Sequence, residues 1–458
     1  EIIRTIATGV PLWTRRFNVG GNRYRFTHIE SYKYNNAIEH LVVGSRIDPS
    51  GVNYMLLARI SDGGNVLRSV YIRPVRLTHL LGIKGIYASD GSFAIVASEC
   101  GGFDARASKY SVVLKLDINL NVQKYHTYNT PNIDDDYDFP TGITEGATAD
   151  EYLIVGTSNK DVVPMIVNSQ AAAMSTLIRM TTGAVTWSYN YSTSAGIGWD
   201  AAADGYFNPA DSTFWVLGND PYIHSFNLTR LNRLTGTVMN KVHFYDNPFG
   251  QDLNNYGFEL KPSLSGVNQF VIGGWKINGY SVMPFMADVN PYTRTVKWQQ
   301  RYSQNNNQLV KNVENPLLRI DNLGYFPVFY DNIMAYNTTK NGYVILGSDS
   351  LNAPNIEAPQ LWNNINLKLE NSCGPYKPIL DSVSRLTFLS APLSYLSGSM
   401  SSVSQAMSPI ILNYQTIKCS IAPIAGQFST TKTLPSGEKL YLYPNPASDA
   451  WTLESSVR

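Results

Sequence analysis

Short runs of apolar residues that end in Gly or Ala recur along the chain. The first is Leu41-Val42-Val43-Gly44, and the later ones end at Ala97, Gly156, Gly218, Gly273 and Gly347. Successive ends lie 53 to 74 residues apart (97 − 44 and 347 − 273). A continuous apolar run of this length between turn signals is typical of a β-strand that is buried on both faces.

Each run is followed by an alternating segment, a hairpin turn and another strand. Residues 55–60 alternate, Asp62-Gly63-Gly64-Asn65 is a turn sequence, and 66–71 alternate again. Such a succession predicts a four-stranded antiparallel meander. One isolated meander leaves both faces and both edges open, whereas repeated meanders bury each other when they stack. We therefore predict an all-β chain that folds as a β-propeller.

The two ends of the chain are expected to close the ring. Residues 2–6 and 12–17 match the second half of a repeat, as in 295–302, and no preceding strands exist for them. Residues after about 378 would then supply the missing inner strands, with 384–389 and 409–414 as candidates. Six full repeats and one shared repeat predict seven blades. Six blades with loose terminal strands is the alternative, and a pair of β-sandwiches is a rival that the regular period disfavours.

The predicted propeller spans residues 1–420, followed by a linker over 421–438 and a separate segment over 439–458. The tryptophans fall into two groups within the propeller. Three recur in the outer-strand position and are expected to pack between blades: Trp13, Trp187 and Trp298. Four others are expected nearer loops or strand ends, where they could reach a binding surface: Trp199, Trp215, Trp275 and Trp362.

Composition narrows the classes of partner. Only 16% of residues are charged and the formal net charge is +1, so the chain offers no excess of cations for nucleic acid or an anionic membrane. No apolar run is long enough to span a bilayer, so we expect no transmembrane segment. The chain begins at Glu1 without a signal peptide, and we expect a processed mature chain or a fragment.

Signatures of catalysis and metal binding are absent from the sequence. The six histidines are scattered without an H-E-x-x-H pattern, and no G-x-S-x-G or C-x-x-C occurs. We therefore expect no catalytic residues, no metal site and no cofactor. Two alternatives stay open. The run Asp134, Asp135, Asp136 and Asp138 is either a solvated loop or a set of oxygen ligands for Ca²⁺. Carboxylate pairs for glycoside hydrolysis are spatial and leave no sequence spacing.

The three cysteines bear on the compartment. Cys373 and Cys419 lie 46 residues apart (419 − 373) and could form a disulfide in an oxidising compartment. Such a loop is worth roughly 3–4 kcal/mol in the chain-entropy treatment. The alternative is two unrelated buried thiols. Cys100 is expected to be a small buried residue.

The repeats and the C-terminal motif resemble known bacterial sequences. The strand-ending Val-Val-Gly, the Leu-x-Arg/Lys-Leu/Ile motif and the Gly-Asn-Val-Leu-x-Ser-x-x-Tyr motif resemble propeller repeats of secreted Bacteroidota proteins, over about residues 2–370. The stretch Tyr443-Pro444-Asn445-Pro446-Ala447-Ser448 resembles the opening of the type A sorting domain that the type IX secretion system reads. That domain is longer in its family, whereas this chain ends 15 residues after Tyr443 (458 − 443).

The resemblance implies an extracellular or outer-membrane-surface location, with the type IX secretion machinery as a partner. It also implies candidate O-glycosylation sites, because three Asp-Ser-x triplets resemble the acceptor of that phylum: Ser212, Ser350 and Ser382. The function expected first is an exported binding, adhesion or assembly module without catalysis. It would contact other surface proteins or glycans through the long loops at 98–111, 129–142, 157–175 and 303–332. The alternatives are a secreted carbohydrate-active enzyme with carboxylates at the channel, and a structural subunit of an extracellular assembly.

Overall fold

The computed structural model describes a β-rich chain. The described residues are 2–5, 11–17, 23–74, 79–101, 108–129, 138–158, 172–192, 201–220, 225–245, 253–263, 266–278 and 281–301, together with separate strands between 334 and 455. Contacts divide the chain into two units: Asn18–Asn413, and Glu1–Phe17 with Tyr414–Arg458. Within the described residues we find no helix with the length and apolar character needed to cross a bilayer.

The regular structure of the described residues consists of strands. In chain order they are β1 (Ile2–Thr5), β2 (Pro11–Phe17), β3 (Arg23–Tyr34), β4 (Ala37–Ile47), β5 (Asn53–Ser61), β6 (Val66–Ile72), β7 (His79–Tyr87), β8 (Phe93–Cys100), β9 (Ser108–Leu116), β10 (Val122–Asn129), β11 (Asp138–Glu145), β12 (Glu151–Ser158), β13 (Ala172–Arg179), β14 (Val185–Ser192), β15 (Ala201–Asn208), β16 (Thr213–Asp220), β17 (Ser225–Asn232), β18 (Val238–Tyr245), β19 (Leu253–Pro262), β20 (Phe270–Asn278), β21 (Ser281–Asn290), β22 (Thr295–Arg301), β23 (Met334–Asn337), β24 (Gly342–Asp349), β25 (Ala358–Asn364), β26 (Ile379–Leu380), β27 (Thr387–Ser390), β28 (Ser394–Leu396), β29 (Tyr414–Thr416), β30 (Lys432–Thr433), β31 (Lys439–Pro444) and β32 (Trp451–Ser455).

Five antiparallel meanders of four strands follow one another in the larger unit. We name them sheet A (β3–β6), sheet B (β7–β10), sheet C (β11–β14), sheet D (β15–β18) and sheet E (β19–β22). A sixth, sheet F, contains β23–β25. Sheets A and B are also joined by a single parallel pair, Asn53 with His79. The predicted repeat of strand, turn and strand is therefore confirmed.

Consecutive sheets from A to E stack face to face. In β12, Tyr152 and Ile154 pack with residues of sheet B, while Leu153 and Val155 pack with residues of sheet D. Side chains of a strand point alternately to its two faces, so one strand contributes to two cores. This is why the second strand of each repeat is apolar throughout rather than alternating. The stacking is that of blades in a β-propeller-like fold.

A β-bulge interrupts the first strand of every sheet from A to E. The bulged residues are Thr27, Ile83, Thr141, Ala203 and Phe258. Two of them connect neighbouring sheets, because Thr27 Oγ1 donates to the Gly82 carbonyl (2.8 Å) and Thr141 Oγ1 to the Ala202 carbonyl (2.7 Å). A bulge shifts the register by one residue and redirects the side chains that follow.

The tight turns of sheets A to E support the hairpin predictions. In sheet A the first turn holds Asn35 and Asn36 at positive φ (47° and 64°), as a two-residue type I′ hairpin requires. The turn between the third and fourth strands has one residue at positive φ in every sheet. These residues are Gly64, Leu120, Gly183, Gly236 and Arg294. Connections of each sheet alternate between its two ends, so the turn after the first strand and the turn after the third strand lie at the same end. The connection between the second and third strands, and the connection to the next sheet, begin at the opposite end of the sheet.

Short strands from the C-terminal half extend three sheets at their outer edge. Strand β26 pairs with β18 of sheet D, β27 with β14 of sheet C, and β28 with β10 of sheet B. Residues 384–389 were candidates for inner strands, but Thr387–Ser390 lies beside the fourth strand of sheet C. Backbone groups at an open sheet edge accept any extended segment, and this edge pairing has no requirement for a full apolar strand.

The smaller unit contains two three-stranded sheets. Strand β2 lies between β1 and β29, so strands near the beginning of the chain and after residue 413 share one sheet. The second sheet has the order β30, β31, β32, and β30 falls inside the predicted linker.

Candidate functional site

The residue that follows the bulge occupies an equivalent position in each first strand. These residues are His28, Lys84, Gly142, Asp204 and Glu259. Four of the five are polar or charged, although the strands around them are largely buried. With Glu30 and Lys261, two residues beyond the position in β3 and β19, they form a group that we call the first-strand cluster. Four sheets contribute charged or polar side chains to it.

The shortest contact in the first-strand cluster joins two sheets that are not neighbours. Lys84 Nζ of sheet B lies 2.6 Å from Asp204 Oδ1 of sheet D, with exposed side-chain fractions of 12% and 3%. Sheet C lies between them, and its residue at this position is Gly142. A Cβ on Gly142 would lie 2.9 Å from Val155 and 3.2 Å from Asp204 Oδ1. The glycine therefore leaves room for the lysine to reach the carboxylate.

Backbone N–H groups hold the Asp204 carboxylate in place. Oδ1 accepts a hydrogen bond from the Gly205 N–H (2.8 Å), and Oδ2 accepts one from the Leu260 N–H of sheet E (3.0 Å). Both oxygens of this buried carboxylate are thus satisfied, as burial of a charge requires. The carboxylate also connects the first strands of sheets D and E.

The remaining members of the cluster perturb each other's protonation. Burial lowers the pKa of His28 well below its ordinary value, and Lys84 and Lys261 lower it further. Its Nδ1 accepts the Gly85 N–H at 3.4 Å, which suits a neutral ring. Burial raises the pKa of Glu30, partly offset by Lys261 and Lys84. Burial lowers the pKa of Lys261, but Glu259 at 2.9 Å and Glu30 outweigh that effect and raise it.

These properties define what the cluster can do chemically. It presents ammonium donors, carboxylate acceptors and a carboxyl group, Glu30, that protonates more readily than an ordinary glutamate. Asp204 and Glu259 are 3% and 4% exposed and already paired, whereas Glu30 is half-buried and can hydrogen-bond a hydroxyl group or donate a proton. Among the described side chains, no group of three or more His, Cys, Asp or Glu is arranged to hold a metal ion.

Other buried ion pairs stabilise the repeat itself. In sheet A, Arg59 contacts Glu39 (2.6 Å) and Tyr32 donates to the same carboxylate. The basic residue of the predicted Leu-x-Arg/Lys-Leu/Ile motif is therefore a structural partner of an acid on the second strand. In sheets B and D, Lys115 and Arg230 contact Asp90 and Asp211 at 2.6 and 2.7 Å; these acids lie in the turn before the second strand, and the pairs are partly exposed.

Glu151 makes the corresponding contact in sheet C but reaches into sheet D. Its carboxylate accepts two hydrogen bonds from Arg233 Nη1, at 3.1 and 2.8 Å, while Arg179 lies farther away at 3.6 Å. Glu151 is 1% exposed. The pair therefore connects two sheets and has no free face for a ligand.

Most of the predicted site residues lie outside the described part of the chain. Tyr443 and Pro444 end β31, whereas Asn445, Pro446, Ala447 and Ser448 lie beyond the described residues. The same holds for Cys373 and Cys419, for Ser350 and Ser382, and for Asp134, Asp135 and Asp136. Asp138 is the first residue of β11.

Ser212 is the candidate modification site that the structure describes. It lies in the turn between β15 and β16 at φ 55°, and it is exposed. The Asp211 carboxylate of the same triplet contacts Arg230, Thr213 and Tyr292. The hydroxyl of Ser212 is accessible on a tight, well-anchored turn, and its glycosylation stays a prediction.

The structure distinguishes two of the tryptophans. Trp187 packs between sheets C and D as predicted, and its Nε1–H donates to the Arg233 carbonyl (2.8 Å). Trp215 was expected near a strand end, with access to a binding surface, but it is fully buried between sheets D and E. Tyr292, in the last turn of sheet E, covers it with a ring-to-ring distance of 5.2 Å. Cys100 is a buried free thiol, as expected.

Sequence reasoning missed the first-strand cluster. Its signal is a single charge inside a short apolar stretch, as in Leu80-Leu81-Gly82-Ile83-Lys84 and Ala201-Ala202-Ala203-Asp204. A charged side chain is rarely buried unless it is paired, so a charge inside a buried strand implies a partner elsewhere in the chain. The partner of Lys84 is 120 residues away, which the local pattern does not reveal.

Comparison with known proteins gives no family. No protein-family profile and no curated protein matches the chain. Among solved structures, a luciferin-regenerating enzyme aligns over 55% of this chain and 85% of its own, with 9% identity and a TM-score of 0.32. A hydrazine synthase of Kuenenia stuttgartiensis aligns over 58% and 92%, with 11% identity and a TM-score of 0.31. A tail fiber of Staphylococcus aureus phage P68 aligns over 66% and 80%, with 11% identity and a TM-score of 0.17.

Proposed function

We propose that the chain is an exported binding module without catalysis, and that a hydroxyl-rich ligand such as a glycan of a cell surface binds at the first-strand cluster. The observation that carries this proposal is that four sheets contribute side chains to the cluster. Charged groups of both signs lie together there, as Lys261 and Glu259 do at 2.9 Å, and hydrogen bonds to charged groups are the strong ones. The undescribed intervals between the second and third strands of a sheet, and between one sheet and the next, would add contacts to larger partners, including other surface proteins.

Binding to a glycan panel tests this proposal directly. We expect the full-length chain to bind at least one glycan, and Glu30→Gln to weaken that binding about 10-fold or more, because a hydrogen bond to a charged group is worth about 1.5–3 kcal/mol. Arg179→Gln is the matched control, because this side chain is 43% exposed and lies outside the cluster. Absence of binding, or equal binding by wild type and Glu30→Gln, would contradict the proposal.

A closed propeller of seven blades, with six as the alternative, is part of the same proposal. Five complete meanders and the partial sheet F supply six units, and β1, β2 and β29 would supply strands of the seventh. The shared sheet of β2 and β29 supports closure through both ends of the chain.

Export through the type IX secretion system is the accompanying proposal for the C-terminal segment. The hairpin of β31 and β32 begins just before the sorting motif, whose Tyr443 and Pro444 end β31. We expect a host with this system to release or display the full-length chain, and a variant with Pro444 and Pro446 replaced by Ala to accumulate in the periplasm. Equal export of both chains would contradict the role of the motif.

A carbohydrate-active enzyme is the second candidate, and the protonation of Glu30 favours it. Burial raises the pKa of Glu30, which is the property of a general acid in glycoside hydrolysis, while Glu259 supplies a further carboxylate. This candidate predicts turnover of a polysaccharide by the purified full-length chain and its loss in Glu30→Gln. Binding of a glycan without turnover would contradict it and leave the binding module.

A further inference from the structure

We propose that Lys84 and Asp204 condense to an intramolecular amide bond that covalently joins sheets B and D. The two reacting side chains are 120 residues apart in sequence, and Lys84 Nζ lies 2.6 Å from Asp204 Oδ1, an oxygen on the carboxyl carbon that would be attacked. Sheet C lies between the two sheets that this contact joins. The contact is therefore a place where a cross-link would change the connectivity of the whole repeat array.

The surroundings of Asp204 suit nucleophilic attack on its carboxyl carbon. The Leu260 N–H donates to Oδ2, the oxygen that would carry the negative charge of a tetrahedral intermediate. Lys84 Nζ lies next to Oδ1, the oxygen that would leave. Two groups held in contact by the fold react as if at very high concentration, which removes most of the entropic barrier.

Proton transfer is the second requirement, and Glu30 is the group that can serve it. Glu30 lies two residues beyond His28 on the same face of β3, and His28 Nδ1 accepts the N–H of Gly85, the residue after Lys84, at 3.4 Å; burial raises the pKa of Glu30. Glu30 would accept a proton from Nζ and return one to Oδ1.

The reaction balances without any co-reactant. A bond forms between Lys84 Nζ and the Asp204 carboxyl carbon, and the bond from that carbon to Oδ1 breaks. Two protons of the Lys84 ammonium leave with Oδ1 as one molecule of water. The ammonium and the carboxylate become one neutral amide, so the overall charge is unchanged and nothing is oxidised or reduced.

Mass spectrometry of the purified, denatured full-length chain tests the proposal. We expect an intact mass lower than the sequence mass by one water. We also expect tandem spectra of a branched tryptic peptide that joins the Lys84 and Asp204 segments. An unmodified mass would overturn the proposal and leave an ordinary ion pair. So would a loss of water that tandem spectra place at Glu1, or within one peptide as a cyclic imide.

Variants separate the roles of the three groups. Lys84→Arg keeps the positive charge but lacks a nucleophilic amine, and we expect it to show the full sequence mass. Lys261→Arg is the matched control, because Lys261 contacts Glu259 of its own strand at 2.9 Å, and we expect it to retain the loss of water. Persistence of the loss in Lys84→Arg would overturn the assignment. Glu30→Gln should leave an unreacted fraction, and complete reaction in that variant would refute the role of Glu30.

Discussion

Replacement of Gly236 by Ala tests the packing between sheets C and D. Gly236 has φ +69°, and a Cβ there would lie 2.6 Å from Cδ2 and Cε3 of Trp187 and 2.7 Å from Tyr189. The left-handed backbone costs a residue with a Cβ about 1–2 kcal/mol. The displacement of a well-packed aromatic ring costs a further 1–3 kcal/mol or so. We therefore expect Gly236→Ala to lower the free energy of unfolding by roughly 2–5 kcal/mol, the sum of the two effects.

The matched control is Gly51→Ala, since Gly51 has φ +86° and no atom within 4 Å of the added Cβ. This variant incurs the backbone cost of about 1–2 kcal/mol alone. Urea titration followed by far-ultraviolet circular dichroism measures both variants against wild type. The excess loss in Gly236→Ala, about 1–3 kcal/mol, reports the overlap with Trp187. Equal losses in the two variants would refute the packing of Trp187 between these sheets.

Three further predictions concern protonation, a buried ion pair and a turn. Burial, and to a smaller degree Lys241, lower the pKa of His243 to about 3, so the unfolded chain binds this proton first as pH falls below 6.5. As the pH falls, this group should lower the free energy of unfolding by up to about 1.4 kcal/mol per pH unit. His243→Gln should make the free energy of unfolding less dependent on pH in this range. The same slope against pH in wild type and variant would contradict this. Glu151→Gln should lower the free energy of unfolding, measured by urea titration, by about 2–3 kcal/mol because Arg233 loses its charged partner. Arg179→Gln should lower it by under about 0.5 kcal/mol. Similar losses in both variants would contradict the assignment of Arg233 as the main partner of Glu151. Arg294 is exposed at φ 57°, so Arg294→Gly should raise the melting temperature, with a gain of about 1 kcal/mol in stability; a lower melting temperature would contradict this.

The repeat could be predicted because its physical requirement is local. A strand covered on both faces must be apolar throughout, and that produced the recurring runs found in β4, β8, β12, β16 and β20. Hairpin turns are also local, so sequences such as Asp62-Gly63-Gly64-Asn65 placed the strand boundaries well. The basic position of the third strand was visible as a motif, although its role as a partner for Glu39 or Asp211 required the fold.

The first-strand cluster could not be predicted because it depends on stacking. A bulge at Thr141 or Ala203 leaves no mark in the sequence, yet it decides which side chain follows on each face. Trp215 was misplaced for a related reason: its neighbours in sequence include a turn, but Tyr292 from the next sheet covers it. The outer strands β26, β27 and β28 are two to four residues long and pair through backbone groups. No side-chain pattern in the sequence therefore predicts them.

The central claim is that the four-stranded meanders A to E stack face to face, so that side chains of their first strands meet in the first-strand cluster. A crystal structure of the full-length chain tests it most directly. The account predicts electron density in which sheets A to E stack in order, with Lys84 of sheet B in contact with Asp204 of sheet D. Electron density for two separate β-sandwiches, with Lys84 and Asp204 in different cores, would contradict it.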